Sequence, residues 1–354
     1  TGQGHLGPLV GDAMGLQCRA SRHEAACASG SMAILAAMAE LRSGMADVAV
    51  VVGVEHMRGV SGVEAGAALG AAARVPEEVD GVLYPWPEMF SQLGEEYDRR
   101  YGLDHAHLEA IAEQNFTNAR SNPLAQTRGW TFPEGSFSRD DQLNPIVSGM
   151  IRRTDCSQIS DGAAAIVLAT ADGAQRVAQR SGDGRADIAY ISGWGHRSSS
   201  HFDLQAKLKA SRSEQFVFPH VRGTVDDALA RAGLAGSNVL DAVDAVECHD
   251  CFTTTEYMVI DHLGLTEPGR SFEAIESGMI APDGPCPINV SGGLIGGGHP
   301  VGATGIRMVR DAANQTTRTS DHLQVTGADR VLTLNIGGAA STVASFVVER
   351  WNQA

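Results

Sequence analysis

The sequence predicts an α/β protein built on a mostly parallel sheet covered by helices on both faces. Three observations carry this. In the second half, strand-like runs at 186–194, 241–248 and 286–290 alternate with helix-like runs at 221–232, 253–263 and 302–313. The run Asp47-Val-Ala-Val-Val-Val-Gly53 is apolar and β-branched without polar alternation, as strands buried on both faces are. The same order of elements also recurs in both halves. Cys27 stands between a strand candidate and a helix, followed by strands at 47–53 and 163–169. His299 stands between strand 286–290 and helix 302–313, followed by strands at 330–335 and 340–348.

From the amino terminus, 7–16 reads as a short helix and 23–26 as a short buried strand ending at Cys27. From Ser29, the residues Met32, Leu35, Met38 and Leu41 recur at helical spacing. The stretch 58–156 is richer in proline, aromatic and charged residues. It holds helices at 88–101 and 104–118 and then turn-rich sequence, and reads as an insertion. The chain therefore divides into an amino-terminal half (1–57 plus 157–182), an inserted loop or cap domain (58–156) and a carboxy-terminal half (183–354). The second half opens with a strand–helix–strand that has no counterpart in the first. The natural protein is accordingly expected to carry such a unit ahead of Thr1.

With 43% apolar residues in 354 the chain can bury a large core, and 19% charged residues leave no room for a long disordered tail. A formal net charge of −15 argues against nucleic acid or an anionic membrane as partner, and an anionic ligand would need a local basic patch. No apolar run is long enough to span a bilayer and no signal peptide is visible, so no membrane insertion is expected. The segment Glu349-Arg350-Trp351-Asn352-Gln353-Ala354 does not resemble a peroxisomal address. The cysteines Cys18, Cys27, Cys156, Cys248, Cys251 and Cys286 match no disulfide framework, so a reducing, cytoplasmic setting is expected.

Four segments could carry chemistry. In Glu24-Ala-Ala-Cys27-Ala-Ser-Gly-Ser31 the cysteine precedes a helix, whose positive end is expected to lower the thiol pKa. A buried structural cysteine would look the same. Glu247-Cys-His-Asp-Cys251-Phe252 has CxxC spacing, but zinc would want a second ligand pair by spacing and none exists, so no metal is expected. Because a strand runs into this segment, His249 and Cys251 can share one face while Cys248 and Asp250 point away. Gly292-Gly-Leu-Ile-Gly-Gly-Gly-His299-Pro300 holds five glycines in seven residues ahead of the histidine, a density that weakens a fold unless backbone must pass close to something. Leu334-Asn-Ile-Gly337-Gly338 is a glycine turn between two strands; it could aim a backbone N–H at an oxyanion, or be a plain hairpin turn. Gly2-Gln-Gly4-His-Leu-Gly7 matches a dinucleotide-binding pattern but follows no strand, and is rejected.

Cys27, His-Asp-Cys-Phe at 249–252, Gly-Gly-His-Pro at 297–300 and the late Asn-Ile-Gly-Gly turn, in this order, resemble the thiolase superfamily over nearly the whole chain. The His-Asp-Cys-Phe segment resembles the sterol-carrier-protein-type branch. The resemblance implies a duplicated five-layer α/β/α/β/α fold with an inserted loop domain, in a homodimer or tetramer. It implies thiolysis of 3-oxoacyl-CoA, or the reverse Claisen condensation, through an acyl-cysteine, with coenzyme A as substrate and no permanently bound cofactor. By the same resemblance Cys27 is the nucleophile, His299 activates it, His249 and His299 hold a thioester oxygen, and Cys251 is the acid/base. The N–H groups of Cys27 and Gly337 form a second oxyanion hole. Most thiolases carry the acid/base cysteine where this chain has Asn335. Arg152, Arg153 and Arg222 are the candidate cations for coenzyme A. Two other readings remain: a thiolase-like acyltransferase or carbon–carbon lyase working with a zinc-ribbon/OB-fold partner, and a non-catalytic acyl-CoA or lipid carrier with inert thiols.

Overall fold

The computed structural model describes residues 4–181 and 188–351. Helix α1 (Leu6–Ala13) is followed by irregular chain and a single 3-10 turn, Ala26–Ala28, which runs directly into α2 (Ser29–Arg42) and then β1 (Val48–Glu55). The inserted region contributes α3 (Gly62–Gly70), α4 (Pro85–Tyr101), α5 (His105–Ser121), β2 (Ile146–Ser148) and β3 (Ile151–Arg152). Next come β4 (Gly162–Ala169), α6 (Ala171–Ser181), β5 (Ala189–Ser198), α7 (Leu204–Ala210), α8 (Pro219–Arg231), α9 (Val239–Ala242) and β6 (Ala245–Cys248). The chain ends through α10 (Thr253–Leu263), α11 (Ser271–Glu276), α12 (Gly293–Gly297), α13 (Val301–Thr317), β7 (Arg330–Gly337) and β8 (Thr342–Arg350). Of the strand expected at 186–194, residues 186 and 187 lie outside the described residues.

The larger sheet has the order β5-β8-β7-β6. Only β6 and β7 run parallel; β5–β8 and β7–β8 are antiparallel, as are β1 and β4 in the smaller sheet. The mostly parallel expectation is thus corrected to a mixed sheet. The reason is local: four residues join β7 to β8, and so short a turn can return the chain only antiparallel. Two expected strands do not form. At 23–26 the backbone reaches φ +52° at Ala26, outside the extended region. At 286–290 the N–H groups are divided: Cys286 and Ile288 donate to Met279 and Ile280, and only Asn289 donates to β6, at Val246. Pro285 and Pro287 have no N–H to offer, so one parallel bridge, Val246 to Ile288, is all that remains.

Helices α2 and α13 pack side by side between the two sheets, with α8 on the outer face of β5 and β8. Ile34, Val51, Ile306 and Phe346 fill this interior. The close fit of α13 on β1 depends on Gly53, where a Cβ would lie 2.7 Å from the Cα of Ala303. A second core surrounds α10, every residue of which is buried, and joins the inserted helices α4 and α5 to the carboxy-terminal half. The described residues thus form helix, sheet, helix and sheet layers. The far face of the β1–β4 pair stays open and shows Val48, Val50, Val54 and Val167 to solvent. No helix among the described residues is long and apolar enough to cross a membrane.

Candidate active site

The turn carrying Cys27 is tied by its neighbours. The Ala26 N–H donates to Glu24 Oε1 at 2.7 Å, and Ser29 Oγ accepts from the Ala25 N–H while donating to the Ala26 carbonyl. This fixes Cys27 at the entry to α2. His299 is fixed from the other side: its N–H meets the Gln158 carbonyl and Ser160 Oγ, and Ile159 pairs with it as an isolated bridge. The same loop stitches down the second motif, since Ser157 N–H donates to the Cys251 carbonyl and Cys156 pairs with Phe252.

The result is convergence. The Cys27 sulfur and one nitrogen each of His249 and His299 lie within 4.8 Å of one another. The two rings stand nearly perpendicular, 85°, with centroids 5.1 Å apart. Cys251 is buried beside them, its Sγ 3.5 Å from Thr255 Oγ1 and near enough for charge on Cys27 to raise its pKa. Cys248 faces the other way, toward Asn289.

Hydrogen bonding sets what each imidazole can do. Thr304 Oγ1 donates to the Pro300 carbonyl, so at 2.8 Å it accepts from His299 Nδ1–H, which leaves Nε2 with a free lone pair. Ser31 Oγ donates to Asn335 Oδ1 at 2.7 Å, which orients the amide so that its N–H donates to His249 Nδ1 at 3.1 Å. His249 therefore carries its proton on Nε2. One ring is built as an acceptor and the other as a donor.

Burial dominates the electrostatics. It pushes the Cys27 thiol up to about 12, against the pull of the N–H groups of Gly338 and Cys27 itself. This overturns the expected lowering: Cys27 is half-buried, and the loss of water around its sulfur outweighs the end of α2. Burial, then the Arg307 charge, holds His299 down to about 3; burial, then His299 and Arg307, holds His249 well below the usual imidazole range. At neutral pH the site rests as thiols and neutral imidazoles.

The amide that meets the sulfur is that of Gly338, one residue beyond the expected Gly337. Gly337 serves by its size: a Cβ there would press on the Ala25 carbonyl and lie 3.0 Å from Ala28 Cβ, in the nucleophile turn. Behind the turn, the buried Lys207 Nζ donates to the Ala339 carbonyl at 2.6 Å and to Ser341 Oγ at 2.7 Å, and His220 reaches the Ala340 carbonyl. Beneath the histidines, the Asp250 carboxylate accepts from the N–H groups of Leu294 and Ile295 and from the Asn115 amide, which locks the His249 segment to the start of α12. Burial and the nearby Glu256 carboxylate push Asp250 up. Lys207, His220, Thr304 and Asp250 were not anticipated as site residues; their spacing carries no signal, because each acts from a separate element. Asn335 was placed at the site by the resemblance, as the residue standing where most thiolases have a cysteine, but without a role.

The candidate coenzyme A cations fare differently. Arg152 is buried and spent on Asp141 and the Asn144 carbonyl within its own loop, a correction to its expected role. Arg153 is exposed, and among the described hydrogen bonds its guanidinium reaches only the Leu143 carbonyl. Arg222 pairs with Asp226 and the Leu263 carbonyl, and lines an open cavity of about 440 Å³ to which Cys27, His249, Cys251 and His299 do not contribute.

Two α/β halves packed on a shared helix pair, with a cysteine facing two histidines near its ends, define a thiolase-fold protein. Residues 11–128 match the family model of the thiolase N-terminal domain, and residues 204–350 that of the thiolase C-terminal domain-like family. The acetyl-CoA acetyltransferase of Methanothermobacter thermautotrophicus is 31% identical over 98% of this chain and 85% of its own length. Human sterol carrier protein 2 is 26% identical over 90% of this chain, which spans 56% of that protein. A solved structure described as Ltp2-ChsH2(DUF35) aldolase superposes over 94% of this chain with a TM-score of 0.72 at 20% identity, a likeness of fold. The chain belongs to the thiolase family.

Proposed function

We propose that this protein is a thiolase-type acyl-CoA acyltransferase that works through an acyl-Cys27 intermediate. The convergence of the Cys27 sulfur with His249 and His299 is the observation that carries the reading. His299 Nε2 takes the Cys27 proton as the sulfur attacks the keto carbon of a 3-oxoacyl-CoA. Proton transfer and attack are coupled, because burial penalises a lone thiolate or a lone imidazolium while the pair offset each other's field. The N–H groups of Cys27 and Gly338 hold the new oxyanion. The carbon–carbon bond then breaks and acetyl-CoA leaves as its enolate, with His249 Nε2–H and the protonated His299 at the thioester oxygen. Cys251, whose pKa is raised by burial and which is therefore protonated, delivers a proton to the enolate carbon. Coenzyme A next gives its thiol proton to Cys251 and attacks the acyl group. Cys27 leaves as thiolate and recovers its proton from His299. The reverse sequence is a Claisen condensation.

Coenzyme A enters as a substrate and no cofactor is permanently bound. Arg153, exposed and three residues from Cys156, is the cation retained for its phosphates. A homodimer or tetramer in a reducing, cytoplasmic setting completes the reading. Coenzyme-A-dependent loss of acetoacetyl-CoA tests it: wild type is expected to catalyse the cleavage and Cys27→Ala to lose at least about 10⁴-fold.

A second reading is supported by the likeness to the Ltp2-ChsH2(DUF35) aldolase structure: a carbon–carbon lyase acting with a zinc-ribbon/OB-fold partner. Such a lyase needs no acyl-cysteine, so Cys27→Ala would keep its activity. An inert carrier would show no cleavage with either protein.

A further inference from the structure

The three groups that converge are also a metal ligand set. A thiolate and two neutral imidazoles suit a borderline divalent cation such as Zn²⁺. The ligands come from positions 27, 249 and 299 on three separate elements, so the sequence spacing rules that look for paired CxxC or HxxxH motifs do not find them. We propose that Cys27, His249 and His299 form a site for a zinc-type divalent cation, which holds the sulfur as a metal thiolate and excludes acyl transfer.

The geometry is close to what such an ion needs. Zn–S of about 2.3 Å and Zn–N of about 2.0 Å in a tetrahedral arrangement put the donors roughly 3.3–3.6 Å apart. The three donors already lie within 4.8 Å of one another, within about 1.5 Å of that spacing. His299 already has the outer partner that ligating histidines use, Thr304 Oγ1 accepting from its Nδ1–H, and at His249 Nδ1 stands the Asn335 amide, which can offer either its nitrogen or its oxygen. His299 already offers the Nε2 lone pair. His249 moves its proton from Nε2 to Nδ1, and the Asn335 amide turns over so that Oδ1 accepts it, while Ser31 Oγ turns from donor to acceptor. The Cys27–Zn bond replaces the S–H bond, and that proton goes to solvent, one per ion bound. A fourth position remains for water or for the Cys251 sulfur; if Cys251 binds, a second proton leaves.

Binding rests on the geometry alone; exclusion of acyl transfer rests on the acyl-cysteine reading. The test is titration of the metal-free protein with Co²⁺ without substrate, followed by absorbance and proton release. One equivalent is expected to give a thiolate-to-cobalt charge-transfer band with tetrahedral d–d bands, to release one or two protons, and to be displaced by Zn²⁺. The signal is expected unchanged in Cys18→Ser, which alters the exposed free cysteine, and lost in Cys27→Ser. His299→Gln is expected to weaken binding at least about 100-fold, and Thr304→Val, acting through His299, about 10–100-fold. Circular dichroism and thermal melts of each variant identify any that fail to fold, and the Thr304 variant then decides. No charge-transfer band in wild type, or a band that survives in folded Cys27→Ser, overturns the proposal. Co²⁺ binding without an acyl-Cys27 would sink the acyltransferase reading and leave the metal site standing; the converse would do the opposite.

Discussion

Replacing Gly305 with alanine probes the packing that aims His249. Gly305 lies in α13 where that helix crosses α2. An added Cβ would sit 2.7 Å from the Ser31 backbone nitrogen and 2.5 Å from Asn335 Oδ1, with Ser31 Oγ closer still. Carbon needs roughly 3.5 Å or more from such atoms, so the overlap is near 1 Å. The backbone nitrogen cannot yield alone, and the helix pair must separate or the Ser31–Asn335 bond must break. Overpacking costs about 1–3 kcal/mol, and loss of one buried hydrogen bond adds about 1 kcal/mol. The sum, about 2–4 kcal/mol, corresponds to a fall in Tm of roughly 3–5 °C for 354 residues, at about 2.1 cal/mol/K of unfolding entropy per residue. The functional effect is separate: without the oriented Asn335 amide, His249 is no longer held with its proton on Nε2, and kcat is expected to fall about tenfold or more. Thermal unfolding and steady-state acetoacetyl-CoA cleavage are the assays. Unchanged Tm and unchanged kcat in Gly305→Ala would refute both the packing and the proposed chain from Ser31 through Asn335 to His249.

Other outcomes follow from the same network. Lys207→Met leaves the Ala339 carbonyl unpartnered and frees the turn that carries the Gly338 N–H, so kcat is expected to fall about 10–100-fold with KM little changed, read from steady-state kinetics. Leu294 and Ile295 donate to different oxygens of Asp250, so Asp250→Asn sets its NH2 against one of these two N–H groups, a cost of about 1–3 kcal/mol; Tm is expected to drop roughly 1–4 °C and kcat to fall, as seen by calorimetry and the cleavage assay. His299, held down to about 3 by burial, binds fewer protons when folded than when unfolded between pH 6.5 and 3. Its contribution is therefore fully present above 6.5 and is lost as pH falls, up to about 5 kcal/mol. Glu256, raised to about 7 by burial, acts in the opposite direction, so the check is the difference between wild type and His299→Gln in denaturant melts across that range. A difference that does not change with pH would contradict the buried neutral imidazole.

Much of this was legible in the chain itself. The helix expected at 253–263 is α10 residue for residue, and the closing strands and α13 fall within a few positions of their expected bounds. Strong apolar periodicity and a short glycine turn leave few alternatives there. The alternation expected to run on from β6 put His249 and Cys251 on one side and Asp250 on the other, and although β6 ends at Cys248, His249 does meet Cys27 while Asp250 turns to the start of α12. Elements that depend on pairing partners were less readable. The segment 286–290 looks like a strand by composition, yet its N–H groups are drawn off by Met279 and Ile280. The turn at Ala26 is set by its N–H donating to Glu24 and by Ser29 Oγ, which accepts from the Ala25 N–H and donates to the Ala26 carbonyl; these bonds override the extended tendency of the neighbours. The sign of the Cys27 shift was missed for a similar reason. A helix terminus can be read from sequence, whereas the protein that displaces water from the sulfur is contributed by distant segments. Arg152 shows the same limit, since its partner Asp141 and the Asn144 carbonyl are visible only in the folded loop.

The central claim is that Cys27 carries the acyl group. Its most direct test is peptide mass spectrometry of the intact protein after brief incubation with acetyl-CoA and with acetoacetyl-CoA. One acetyl group on the peptide containing Cys27, lost on addition of coenzyme A and absent from Cys18, Cys156 and Cys248, is the expected result. Turnover of acetoacetyl-CoA with Cys27 unmodified throughout, or an acetyl group settled on Cys251 instead, would contradict it.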